Sequence, residues 1–156
     1  MTNPLATSRL LALAIPAALL GGAWIAQLGF GLPPCEMCHW QRWPHYAALV
    51  PAMAAVVITG RGQRLLILLA ALLIAASGLI GAFHAGVEYG WWEGVTSCAS
   101  RGNISFEDML DNIAMVRCDV APWTLAGISL AGFNAIFSLG GALAIVALLR
   151  RQRTPA

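Results

Sequence analysis

The sequence predicts an all-α fold, an integral membrane four-helix bundle with both its N- and C-termini cytoplasmic. Three observations carry this. Of 156 residues, 59% are hydrophobic and 10% are charged, whereas soluble domains hold about 45–50% apolar and 25% charged residues. The mean hydropathy is +0.74. The few charges cluster so as to leave four long uncharged stretches, at 10–35, 43–60, 65–87 and 120–149. This composition excludes a disordered chain and a soluble enzyme. A net charge of +2, with nine arginines and no lysine, leaves no electrostatic footprint for nucleic acid. The length suits a single membrane domain over residues 1–156.

A membrane helix needs about 20 apolar residues to cross roughly 30 Å of hydrocarbon, and in lipid it must satisfy its own backbone hydrogen bonds. The spans are placed at about 10–30, 43–60, 65–87 and 123–149. Arg9 before the first span resembles the start of a signal peptide. The apolar stretch outruns a usual signal core, however, and no small-x-small cleavage site follows, so it is read as a retained helix. The second span is the shortest and contains Pro44 and Pro51. Pro44 fits a first helical turn, and Pro51 is expected to kink the span. The connection Gly60-Arg61-Gly62-Gln63-Arg64 is so short that spans two and three are expected to be antiparallel neighbours. Gly78 and Ala82 are expected to admit close helix contact, and Asn134 to form an interhelical hydrogen bond.

Charge sets the orientation. Arg9, Arg61, Arg64, Arg150, Arg151 and Arg153 fall on one side, which the positive-inside rule makes cytoplasmic. All seven acidic residues, Glu36, Glu88, Glu93, Glu107, Asp108, Asp111 and Asp119, fall on the other, together with Arg42, Arg101 and Arg117. Two outer loops remain, at about 31–42 and 88–122. In the longer one Ser105 and Asp108 form a capping-box-like pair. Phe106, Met109, Leu110, Ile113 and Val116 then share a face. This predicts a short amphipathic helix, lying in the membrane interface or packed on the bundle. Trp91, Trp92 and Trp123 read as interfacial anchors.

All four cysteines, Cys35, Cys38, Cys98 and Cys118, fall on the outer side, where disulfides persist. Cys35-Glu36-Met37-Cys38 sits where the first loop meets the second helix. A helix N-terminus and a nearby cation both lower a thiol's pKa, and Arg42 lies one turn beyond Cys38. Cys38 is thus placed to be a stable thiolate; the plain alternative is a static disulfide pinning the loop. A Cys98–Cys118 bridge would contribute about 3 kcal/mol in the chain-entropy picture. Four cysteines permit three connectivities, and the sequence does not choose among them. Cys35-x-x-Cys38-His39 is also the attachment pattern of c-type haem, so a membrane c-type cytochrome is the rival reading. Its drawback is that no soluble domain is present to wrap a haem. A zinc site on four cysteines would lack a second C-x-x-C.

Pro34-Cys35-Glu36-Met37-Cys38-His39-Trp40-Gln41-Arg42-Trp43-Pro44-His45, with its C-x-x-C-x3-R spacing, resembles the DsbB family of disulfide-forming membrane oxidoreductases. So does Arg117-Cys118-Asp119 with Pro122-Trp123 opening the last span. The resemblance runs from the first helix to the basic tail. It implies a quinone-dependent thiol:disulfide oxidoreductase in the bacterial inner membrane, with its active site on the periplasmic side. Its partners would be a periplasmic DsbA-type thioredoxin-fold protein and a membrane quinone, ubiquinone or menaquinone. It further implies that Cys98 meets the partner's thiolate and that Cys118 is the mate of Cys98. The Cys35–Cys38 disulfide would re-oxidise that pair through a transient Cys35–Cys118 bridge. Cys38 would face the quinone, with Arg42 beside it. The DsbA–DsbB–quinone relay is the established example of such chemistry: the oxidase is itself a strong oxidant, so a lipid-dissolved acceptor must complete the pull. The related vitamin K epoxide reductase type carries its C-x-x-C late in the chain, unlike Cys35–Cys38.

His39, His84 and Glu88 join Cys38 and Arg42 as candidates for the quinone site. His84 and Glu88 stand four residues apart, on one helix face, and ionisable groups in or near a span are functional candidates. An interfacial polar pair is the alternative for these two, and a headgroup-level histidine is the alternative for His45.

Overall fold

The computed structural model describes residues 3–96 and 116–151. The expected amphipathic helix near 105–116 lies almost wholly outside the described residues, and Cys98 lies outside them entirely. Four long helices occupy the described residues: α1 (Pro4–Gly29), α2 (Glu36–Val57), α3 (Gly60–Glu88) and α4 (Leu130–Arg151). Three of them, α1, α3 and α4, are long and apolar enough to cross a membrane. The sequence reading counted four such spans. α2 falls short because its outer half carries Gln41, Arg42 and His45, all buried inside the bundle.

Local chemistry sets the helix ends. Asn3 caps α1, its side-chain oxygen accepting from the Leu5 N–H at 3.0 Å, and Pro4 follows at the first helical position. α2 begins at Glu36, earlier than the span expected from residue 43. Cys35 is its N-cap, and the Cys35 sulfur accepts from the Cys38 N–H at 3.2 Å. Glu36 places a negative charge in the first turn, where the helix dipole favours it. The C-x-x-C pair therefore opens a helix rather than sitting in a loop. α2 continues as helix through both Pro44 and Pro51. Only Ile58 and Thr59 separate it from α3, and the two pack side by side, as the short link demanded.

The last span was expected from residue 123. Its first residues instead form a small antiparallel hairpin, β1 (Thr124–Leu125) and β2 (Ile128–Ser129). The turn residues Ala126 and Gly127 both have positive φ, 51° and 78°, the condition for a two-residue type I′ turn. Ser129 then starts α4 cleanly: its hydroxyl oxygen accepts the Gly132 N–H at 3.1 Å. Tyr89 ties this corner to α3, its hydroxyl accepting from the Ser129 N–H and donating to the Gly127 carbonyl. Trp91, Trp92 and Trp123 are all exposed beside these helix ends, as anchors at an interface would be.

α3 packs against α2 and α4, and α1 closes the bundle against α2 and α4. The core is small-residue packing: Ala12, Ala48, Ala52, Ala55, Ala70, Ala71 and Ala142, with Ile67, Ile74 and Ile145. Large apolar side chains such as Leu10, Leu28, Val50, Leu72 and Leu143 point outward. Lipid removes the hydrophobic drive between helices, so close approach of small residues takes its place. Gly78 shows how close. A Cβ there would come within 2.9 Å of the Leu139 and Ser138 side chains. Gly78→Val is therefore expected to push α3 from α4 and destabilise the bundle by about 1–3 kcal/mol, read as a lower thermal unfolding midpoint in detergent.

Candidate functional site

The site lies at the outer end of the bundle, where α2 begins and α3 ends. Cys35 and Cys38 are the free cysteines among the described residues, and their sulfurs are 2.8 Å apart. Cys118 is disulfide-bonded and fully buried. Its sulfur, the Cys35 sulfur and a ring nitrogen of His84 all lie within 4.8 Å of one another. A metal would need thiolates, and the Cys118 sulfur is committed to a disulfide, so the cluster is suited to sulfur exchange. Met37, Val87, Phe83 and Val116 wall it in.

Cys35 and Cys38 sit at the mouth of α2, ahead of its apolar stretch, and share a proton unequally. The hydrogen bond with Cys38, then burial and the neighbouring Cys38 charge, hold the Cys35 thiol well above its ordinary range. The hydrogen bond from Cys35 pulls the Cys38 thiol below its ordinary value, assisted by Arg42 and opposed by burial. A lowered thiol pKa keeps the thiolate as pH falls. In the reduced protein Cys38 is therefore expected to react with iodoacetamide at pH values where ordinary thiols are silent, with Cys35 lagging. Mass analysis of each peptide across pH checks this, and Cys35 reacting first would contradict it.

Behind Cys38 opens a cavity of about 230 Å³ between α1, α2 and α4. α1 gives it an apolar wall through residues such as Leu19 and Ala23, while Phe133 faces it from α4. Cys38, Gln41, Arg42, His45 and Asn134 supply its polar side. Arg42 is 9% exposed and held in place by α1. Its Nη1 donates to Gln27 Oε1 at 2.7 Å and its Nη2 to the Ala23 carbonyl at 3.3 Å. Its guanidinium also lies 5.6 Å from the Trp24 ring centroid, a cation–π distance. His45 Nε2 bonds Asn134 Oδ1 at 2.9 Å. His45 Nδ1 is the one buried side-chain nitrogen or oxygen among the described residues without a hydrogen-bond partner.

The candidates from sequence divide clearly. Cys38 and Arg42 line the cavity; His39, His84 and Glu88 do not. His39 is exposed on the first turn of α2. His84 is buried on the cysteine side, its Nε2 3.6 Å from the Cys35 sulfur and 3.1 Å from the Cys118 carbonyl. Glu88 stands 3.8 Å from His84 and accepts from the Ser129 hydroxyl. The expected i, i+4 pair is real, but it faces the sulfurs. Asn134 makes its interhelical bonds with Gln41, Ser77 and His45. The sequence reading missed Gln27, Gln41 as a site residue, and His45 as part of a cavity wall. For Gln27 a signal existed: it is the lone amide in an otherwise apolar first span.

Two cysteine centres meeting at one end of a membrane-type helix bundle define a membrane thiol–disulfide oxidoreductase. The chain belongs to the DsbB family: the family described as disulfide bond formation protein DsbB matches residues 6–148. Comparison with curated proteins and with solved structures gave no match. Family membership makes disulfide bond formation by thiol oxidoreduction the role of this chain.

Proposed function

We propose that this protein re-oxidises a periplasmic DsbA-type thioredoxin-fold dithiol oxidase and passes the two electrons to a quinone in the bacterial inner membrane. Both termini are then cytoplasmic, and the cysteines face the periplasm. One observation carries the reading: Cys35 stands between two cysteine centres. Its sulfur is within 4.8 Å of the Cys118 sulfur and 2.8 Å from Cys38, which lines the cavity beside Arg42.

The chemistry is a series of exchanges, each breaking one S–S bond and making one. The partner's thiolate attacks Cys98 of a Cys98–Cys118 disulfide and frees Cys118 as a thiolate. Cys118 attacks Cys35 of the Cys35–Cys38 disulfide, which leaves the electron pair on Cys38. The partner's second thiolate then attacks the partner's own first cysteine, closing the partner's disulfide and freeing Cys98 as a thiolate. Cys98 closes on Cys118 and releases Cys35, which closes again on Cys38 once the electron pair has left. A bound ubiquinone or menaquinone supplies the two-electron acceptor. The cavity residues fit such a group: an apolar wall for its ring, the Arg42 cation for negative charge, and the unpartnered His45 Nδ1 as an acceptor for a hydroxyl.

The test is quinone reduction by the purified protein in detergent, with a reduced DsbA-type protein as donor. Steady turnover with either quinone type is expected. No turnover with either type, even with a small dithiol as donor, would overturn the proposal.

A further inference from the structure

We infer that His84 is a fixed N–H donor to the Cys35 sulfur, with Gln41 and Asn134 as the positioning residues that hold it so. Backbone carbonyls settle how the two amides are turned. The Met37 carbonyl lies 3.3 Å from Gln41 Nε2, and the Ser77 carbonyl lies 3.2 Å from Asn134 Nδ2. A carbonyl only accepts, so both of these ends are NH2 groups. The hydrogen bonds then run in one direction. His45 Nε2 donates to Asn134 Oδ1 at 2.9 Å, and Asn134 Nδ2 donates to Gln41 Oε1 at 2.9 Å. Gln41 Nε2 donates to His84 Nδ1 at 2.7 Å. His84 Nδ1 therefore carries a lone pair, and the ring proton sits on Nε2. A third carbonyl independently requires the same: Cys118 O accepts from His84 Nε2 at 3.1 Å. The same N–H faces the Cys35 sulfur at 3.6 Å.

This tautomer assigns the ring its task. When Cys98 closes on Cys118, the Cys35–Cys118 bond breaks and the electron pair stays on Cys35. Exchange is faster when the departing thiolate is better stabilised, and the N–H that His84 shares between the Cys118 carbonyl and the Cys35 sulfur leans to the sulfur and strengthens as charge develops there. The ring does not ferry protons, because Nδ1 already faces the Gln41 N–H. The role in turnover rests on the relay proposed above; the hydrogen bond itself rests on geometry alone.

The test uses the full-length chain in detergent with Cys38, Cys98 and Cys118 replaced by serine, so that Cys35 is the only thiol. Its alkylation by iodoacetamide, followed by mass across pH, reports the thiolate. Among the described residues the titratable groups facing it are then His84 and Glu88, and the Glu88 negative charge opposes the thiolate; Glu88 is common to all variants. His84→Met is expected to lower the thiolate fraction about tenfold at a given pH, moving the midpoint up by about one unit. His84→Gln, whose amide N–H reaches the place of Nε2, is expected to restore most of it. A midpoint unmoved by His84→Met, or moved equally far by His84→Gln, overturns the inference. Should His84→Met not fold, His84→Leu decides: it also lacks an N–H and is expected to move the midpoint the same way, and no movement overturns the inference. Neither quinone nor donor protein enters this titration. Failure of the relay would show separately, as lost turnover with the titration intact.

Discussion

Cys38→Ser is expected to abolish quinone reduction, a loss of about 10³-fold or more in kcat. Cys38 is the cysteine among the lining residues of the cavity, so no other described sulfur can hand electrons across that wall. A serine hydroxyl is not a thiolate at any working pH, and it closes no disulfide with Cys35. The fold is expected to survive. Cys38 is only partly buried, and the cap of α2 uses the Cys35 sulfur and the backbone N–H of residue 38, both of which remain. Capture of the partner should therefore persist in the fraction that keeps the Cys98–Cys118 disulfide, while turnover is lost. Turnover within tenfold of the parent protein would remove Cys38 from the electron path.

Arg42→Met is expected to raise the KM for quinone and lower kcat/KM about 10²-fold, the scale of a lost hydrogen bond to a charged group. Arg42 is the cation at the cavity, and two bonds to α1 fix its fork. Methionine fills much of its volume but leaves Gln27 without that donor and the cavity without positive charge. Arg42→Lys restores the charge without the planar fork, so only part of the loss should return. Capture of the partner at Cys98 is expected to be unchanged in both variants. An unaltered KM for quinone in Arg42→Met would contradict the assignment of the cavity.

Much of this was legible in the sequence because it depends on chemistry that leaves a pattern. Uncharged runs marked the helices, and the C-x-x-C-x3-R spacing marked Cys35, Cys38 and Arg42. What was not legible depends on three-dimensional pairing. Gln41, Ser77 and Asn134 are single polar residues in different helices, and nothing in their spacing says that they meet. His84 and Glu88 were correctly paired, but the rotation of α3 decides whether they face the cavity or the sulfurs, and they face the sulfurs. The start of α4 was placed too early because 123–129 is uncharged. Hydropathy does not register that Ala126 and Gly127 adopt a left-handed turn or that Ser129 caps a helix. α2 was counted as a span because its two charged residues, Glu36 and Arg42, both precede residue 43, while Gln41 and His45 escape a count of formal charge.

The central claim is that electrons cross between the cysteine pairs through contact of Cys35 with Cys118. Mapping disulfides in the purified Cys38→Ser chain under non-reducing conditions tests it most directly. With Cys38 gone, the Cys35 thiolate can attack Cys118 and release Cys98 as a free thiol, with no oxidant needed. The account predicts a Cys35–Cys118 peptide in a substantial fraction of the protein, with Cys98 alkylatable in the same fraction. Finding Cys118 joined to Cys98 throughout, with Cys35 free after long incubation, would contradict it.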